Sequence, residues 1–121
     1  MNLMRHPSIT VVLIDDAGRD RWTEAYLDTG FTGELTLSRA MIDQLGLVPS
    51  GRFNRYRVGT GVTETFNSYQ GAIHWRNELR MIEILEAEVT PLVGIGLLWG
   101  NNLSVDFQSG GDVAITELPD C

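Results

Sequence analysis

An aspartate, a threonine and a glycine follow an apolar run in the first third of the chain. Ala25-Tyr26-Leu27 is typical of the end of a strand, and Asp28-Thr29-Gly30 comes directly after it. A carboxylate at the end of a rigid strand is placed to accept or donate a proton, as a general base or acid does. The same three residue types are common in turns, and the tripeptide taken alone favours a simple turn.

A second apolar run ends in glycine much later in the chain. Leu92-Val93 leads into Gly94 and then into a short apolar helical turn at Leu97-Leu98. This order is a weak internal echo of Tyr26-Leu27 leading into Asp28. We expect the two strand ends to lie beside each other.

A glycine-rich tip separates two strand-like segments in the middle of the chain. Gly59-Thr60-Gly61 lies between the segments Arg52 to Val58 and Val62 to Gly71. This spacing predicts a long hairpin with a glycine-rich end. Without the Asp28 loop, a plain hairpin turn would be the preferred interpretation of this tip.

In their order and spacing, these segments resemble the retropepsin-like aspartic proteases, in particular small bacterial members of the retroviral-type group. The similarity covers most of the chain: the loop Leu27 to Gly33, the stretch Leu35 to Leu47, the hairpin tip, and Leu92 to Leu98. It implies an all-β fold over residues 1–121, a closed barrel of the acid protease type with one or two short helices. Phe31 and Gly96 depart from the usual family pattern.

The resemblance also implies the chemistry. It makes the chain a homodimeric endopeptidase in which each subunit gives one catalytic Asp28, with Thr29 and Gly30 supporting the loop. Two carboxylates held close together cannot both ionise at low cost, so they share a proton and act as acid and base around one water. Gly59-Thr60-Gly61 would form a flap over an extended peptide, and Gly94 would belong to the second loop.

Many short β-branched and apolar segments separated by turn residues favour an all-β fold. A short helix is predicted after Ser38, which can cap it, and Gly46 ends it. The segment Leu79 to Glu88 is also compatible with a helix by propensity. The predicted strands are Ser8 to Asp15, Arg21 to Leu27, Glu34 to Leu37, Arg52 to Val58, Val62 to Gly71, Ile73 to Trp75, Leu79 to Leu85, Leu103 to Phe107 and Val113 to Glu117.

Composition narrows the function classes. The chain has 121 residues, nine arginines and no lysine against 16 acidic residues, and a formal net charge of -7. Such a balance disfavours nucleic acid and anionic membranes as partners. The single cysteine, Cys121, builds no disulfide framework, and with no apolar stretch long enough to span a bilayer we expect a cytoplasmic location.

Other polar residues are weaker candidates. Asp15 and Asp16 precede Ala17-Gly18 and are predicted to form a turn. Asp106 lies on a predicted strand of alternating polarity and is a weaker candidate for a second catalytic acid. His6 and His74 lack the spacing of metal ligands, so no metal site is expected. Gly59-x-Gly61 and Gly94-x-Gly96 each match only half of the dinucleotide-binding motif, so no dinucleotide cofactor is expected.

Two sets of larger side chains could contact a substrate or a partner. Arg52, Arg55 and Arg57 form a basic cluster before the hairpin tip that could attract acidic peptides, although a solvated strand edge is the preferred reading. The three tryptophans are expected to be core or dimer anchors. They are Trp22, Trp75 and Trp99.

Two further functions stay open at this point. The first is a peptide-binding or assembly module on the same fold that does not turn over substrate, because Phe31 and Gly96 alter the expected pocket. The second is a small-ligand barrel unrelated to proteases, which rests only on the all-β pattern.

Overall fold

An antiparallel hairpin opens the fold. The structure, a computed structural model, describes residues 6–57 and 63–119. Strand β1 (Ser8–Ile14) pairs with β2 (Asp20–Leu27) in continuous register. The turn between them contains Gly18 at a φ of 79°, a conformation that glycine adopts without steric cost. The predicted hairpin is confirmed.

Asp15 holds that turn together. Its carboxylate accepts hydrogen bonds from the backbone N–H groups of Arg19 and Ala17, both at 2.9 Å, and from Arg21 Nε at 3.0 Å. These hydrogen bonds lower the pKa of Asp15 from 3.8 to about 2, and the bond from the Arg19 N–H has the largest effect, ahead of those from Arg21 and Ala17. Burial acts in the opposite direction and raises this pKa. Asp15 is therefore a turn residue, as predicted.

The helix after β3 (Leu35–Leu37) also follows the sequence signals. Helix α1 (Arg39–Leu45) begins after Ser38, whose Oγ accepts a hydrogen bond from Met41 N at 3.3 Å. It ends at Gly46, which has a φ of 67°. Its apolar residues Ile42 and Leu45 are buried, which ties the helix to the core.

Three long antiparallel strands form the middle of the chain: β4 (Val48–Arg57), β5 (Thr63–Trp75) and β6 (Glu78–Glu86). The predicted break between Gly71 and Ile73 is wrong, because β5 continues through Gly71. A Cβ there would lie 2.5 Å from Ile84 Cδ1, so this glycine marks a close approach and not a strand end. The β5–β6 turn at Arg76-Asn77 has two positive φ angles, as tight hairpin turns require.

The segment Leu79 to Glu88 does not form a helix. Residues 78–85 pair with β5 without interruption, and Ile82 and Ile84 alternate into the core while Met81 stays exposed. The period of two selects the strand over the helical propensity of these residues.

The last third of the described chain contains β7 (Leu92–Val93), α2 (Ile95–Leu98), β8 (Asn101–Val105) and β9 (Val113–Glu117). Strands β8 and β9 form the predicted final hairpin, but β8 lies two residues earlier than expected. Asp106 and Phe107 consequently lie in the loop after β8 and not within a strand.

The seven strands β1 to β7 share one sheet in the order β1-β2-β7-β3-β6-β5-β4. An additional pairing of β1 with β5 joins six of them into a ring, with β4 attached to β5. Leu35, Leu37, Ile73, Ile84 and Val93 have no exposed surface and form the centre of the core. The all-β class and the two short helices are confirmed. No helix within residues 6–57 and 63–119 has the length and apolar character to cross a membrane.

Asp15→Asn should destabilise the protein at neutral pH, and the difference from wild type should shrink as the pH falls. The pKa of Asp15 is depressed, so its contribution to folding is complete above its ordinary pKa of 3.8 and disappears as the pH falls through about 2. Thermal unfolding of both proteins between pH 7 and pH 2 measures this convergence. Asp16→Asn, at the exposed neighbouring position, is the control, and a pH-independent loss in Asp15→Asn would contradict the assignment.

Candidate active site

The two strand ends singled out in the sequence lie side by side. Strands β2 and β7 are parallel, with Tyr26 opposite Leu92 and Leu27 opposite Val93. Asp28 N continues this pairing by donating to Val93 O at 2.9 Å. The expected juxtaposition of the two apolar runs is confirmed, and it puts Asp28 at the point where a half-buried strand pair ends.

The Asp28 carboxylate is oriented by its own loop. Gly30 N donates to Asp28 Oδ1 at 2.9 Å, and Phe31 N donates to Asp28 O at 3.1 Å. Such an Asx turn fixes the side chain on the backbone. The second carboxylate oxygen accepts no hydrogen bond from residues 6–57 and 63–119, and Asp28 is half-buried. One oxygen is thus held while the other can bind water or a second acid.

The loop after Asp28 is bound to the segment after β7 by three backbone hydrogen bonds. Gly94 N donates to Glu34 O at 3.0 Å, Ile95 N donates to Phe31 O at 2.8 Å, and Gly96 N donates to Gly33 O at 3.0 Å. These bonds give partners to backbone N–H and C=O groups that would otherwise be buried without a hydrogen bond. The two loops therefore form one crossed unit.

Gly94 is required by this crossing. A Cβ at this position would lie 2.3 Å from Gly33 O and 2.6 Å from Phe31 O, distances that real Cβ atoms do not adopt. The φ of Gly94 is -105°, so the requirement is lack of space and not backbone conformation. A Cβ on Gly96 would also lie close to Gly33 O, at 2.9 Å. The departure at Gly96 thus has a steric reason.

The departure at Phe31 has a packing reason. Its side chain is 1% exposed, and its ring atoms occupy the space against Gly33 and Gly94. Phe31 fills the interior beneath the crossed loops. Its ring is not exposed on the surface beside Asp28.

Thr36 supports the site from within the sheet, a role that sequence reasoning missed. It is 2% exposed, and its Oγ1 accepts a hydrogen bond from Leu92 N at 2.9 Å. Through this bond a side chain of β3 takes the place of a backbone carbonyl and holds β7 in register. The available signal was a threonine between two leucines, Leu35 and Leu37, in a segment otherwise suited to the core.

The remaining predicted site residues have the following positions. Thr29 and Gly30 are exposed next to Asp28, and the Thr29 hydroxyl has no hydrogen-bond partner within the described part of the chain. Gly59, Thr60 and Gly61 lie outside the described residues, beyond the pair Arg57 and Thr63, where the paired segments of β4 and β5 end. The flap prediction therefore stays a prediction.

The two histidines contact different residues. His74 Nε2 lies 3.1 Å from Asp20 Oδ1, and His6 stacks on Tyr26 with ring centroids 4.6 Å apart. No group of three or more His, Cys, Asp or Glu residues is clustered as metal ligands across residues 6–57 and 63–119.

The tryptophans are less buried than a core role requires. Trp75 packs partly against the core, but Trp22 is 69% exposed and Trp99 is 79% exposed. These two are therefore not core residues, and their other expected role, as dimer anchors, stays a prediction. Trp99 directly follows α2 and lines an open cavity of about 460 Å³ together with Thr29, Ile95 and Leu98.

No family model matches the chain, and no curated protein matches it significantly.

Gly94→Ala should destabilise the protein by about 1–3 kcal/mol or more, because the added methyl group overlaps two backbone carbonyls. Gly96→Ala is the control and should destabilise the protein less than Gly94→Ala does. Its added methyl group has a longer closest contact, and alanine is favoured over glycine within a helix. Urea unfolding measures both changes, and equal stability of Gly94→Ala and wild type would contradict the crossed-loop geometry.

Thr36→Val should expose Leu92 N–H to solvent exchange and cost about 1–3 kcal/mol, because a buried donor loses its acceptor. Thr36→Ser keeps the hydroxyl and should retain slow exchange at Leu92. Amide hydrogen exchange measures both variants. If Leu92 N–H remains equally protected in the valine variant, the bond does not hold β7.

Proposed function

We propose that this chain is a retropepsin-like aspartic endopeptidase that hydrolyses peptide bonds as a homodimer. The observation that carries the proposal is the position of Asp28, at the end of β2 and hydrogen-bonded to the end of β7, with one carboxylate oxygen held by Gly30 N–H. The ring of six strands and the long β4–β5 hairpin support a closed barrel of the acid protease type.

The chemistry needs two copies of Asp28. One carboxylate is a sufficient base for water, but a second acid is needed to protonate the carbonyl oxygen during attack. In a twofold dimer the partner's Asp28 supplies that acid. The ionised carboxylate takes a proton from water, whose oxygen attacks the scissile carbonyl carbon, while the protonated carboxyl donates its proton to the carbonyl oxygen. The carboxyl that took the proton from water then gives it to the amide nitrogen, and the other carboxylate takes a proton from a hydroxyl of the diol. The C–N bond breaks, the amine and the carboxylic acid leave, and the pair again holds one proton.

The proposed substrate is an extended peptide. Strand addition against a strand backbone is one of the recurring ways in which proteins hold such a chain, and the segment Gly59 to Gly61 is proposed as the flap that closes over it. Thr29 and Gly30 support the Asp28 loop, and Gly94 belongs to the second loop. No metal or organic cofactor is needed for this reaction. The proposed compartment is the cytoplasm, because a chain with a single cysteine cannot form the internal disulfides that are typical of proteins in oxidising compartments.

Asp28→Asn should lower peptide hydrolysis by about 100-fold to 10,000-fold, the range that general acid–base catalysis contributes. The measurement uses the full chain with a broad library of peptides, between pH 3 and pH 8. The rate should show a bell-shaped dependence on pH, since one carboxyl must be protonated and one ionised. Asp106→Asn, which changes an exposed acid in the loop after β8, is the matched control and should retain activity.

Equal hydrolysis by wild type and Asp28→Asn would overturn the mechanism. Specific activity should rise with protein concentration, and inhibition by pepstatin is expected. Binding of extended peptides without cleavage at any pH would favour the non-catalytic module instead.

A further inference from the structure

An uncharged apolar surface lies beside the Asp28 loop. The open cavity of about 460 Å³ described above has eight lining residues, none of which carries a formal charge. Trp99 and Leu118 are 79% and 48% exposed. We call this surface the Trp99 patch; the members used below are Thr29, Ile95, Leu98, Trp99, Leu103 and Leu118. Exposed apolar patches of this kind mark interaction sites more often than scattered surface residues do.

Charge favours this surface for self-association. The chain carries a formal net charge of -7, so two copies repel each other over most orientations. An uncharged patch is where two such molecules approach with the least repulsion. Thr29 belongs to the patch and directly follows Asp28, so a second copy seated there brings its own loop close to the first.

The β8–β9 hairpin gives a second, independent reason for a partner at this surface. Strands β8 and β9 pair with each other and with no other strand in the described ranges. Leu103 and Ile115 pack against the core from one face. A two-stranded sheet has two unpaired edges and is marginally stable alone, so such edges are usually covered. Leu103 belongs to both this hairpin and the Trp99 patch.

We infer that the Trp99 patch is the docking surface for a second copy of this chain, related by a twofold axis. This inference rests on the proposed function, which requires two Asp28 loops to meet. In a twofold interface the same patch serves both partners, so each exposed Trp99 can enter the cavity beside the other. Tryptophan is among the residues that dominate such interfaces. A standard interface involves about 20–30 residues on each side, so the patch supplies its centre and the Asp28 loop and hairpin edge extend it.

The test compares two exposed tryptophans. Trp99→Glu places a charge in the patch, whereas Trp22→Glu makes the same change on β2 near α1, at the strand end remote from Asp28. Sedimentation equilibrium of the full chain should show a wild-type dimer. The dimer dissociation constant should rise about 30-fold or more in Trp99→Glu, the effect of losing a hot-spot residue, and stay near wild type in Trp22→Glu.

Far-ultraviolet circular dichroism checks that each variant is folded, and Leu118→Asp, at the other exposed apolar residue, tests the patch again. A monomeric wild type at 100 μM, an about equally tight dimer in both patch variants, or a dimer lost only in Trp22→Glu would overturn the inference. The outcome is separable from the proposed function. A dimer that depends on Trp99 but cleaves no peptide keeps the interface and removes the protease, whereas Asp28-dependent cleavage by a dimer indifferent to Trp99 does the reverse.

Discussion

The absence of space for any side chain at Gly94 is the constraint on which the site depends. Because Gly94 has no Cβ, the backbone after β7 can approach the carbonyls of Phe31 and Gly33 and donate hydrogen bonds into the Asp28 loop. This contact in turn requires β7 to lie between β2 and β3, as Thr36 and the parallel pairing with β2 ensure. The loop that orients the Asp28 carboxylate is therefore held in place by residues remote from it in sequence.

Much of the fold follows from local sequence signals. Turn residues at Gly18 and Asn77, the Ser38 cap and the alternation of Ile82 and Ile84 each act over a few residues, and the structure agrees with all of them. The juxtaposition of Leu27 and Val93 was also predictable, because both strands repeat one pattern. Local reasoning failed where spatial neighbours decide. Gly71 does not end a strand because Ile84 occupies its missing side chain's position, and nothing adjacent in sequence reveals this.

The same limit applied to the site itself. The sequence singled out Asp28, Thr29, Gly30 and Gly94, all of which lie at or beside the crossed loops. It did not decide whether Phe31 and Trp99 are buried or exposed, because an aromatic residue next to glycines can turn inward or outward with equal local plausibility. Burial of Phe31 and exposure of Trp99 are consequences of what surrounds each residue in three dimensions, and those surroundings include strands far away in the chain.

The parallel pairing of β2 with β7 also has a consequence for how the protein is made. Tyr26 and Leu92 are separated by most of the polypeptide, including the whole β4–β5–β6 meander. Closing so long a loop is entropically costly and slow, so contacts of this kind form late. On a ribosome, the first hairpin can assemble as soon as it emerges, but its terminal aspartate has no β7 beside it. In the nascent chain, the Asp28 loop consequently stays unassembled until β7, in the final third of the chain, has been synthesised and has paired between β2 and β3.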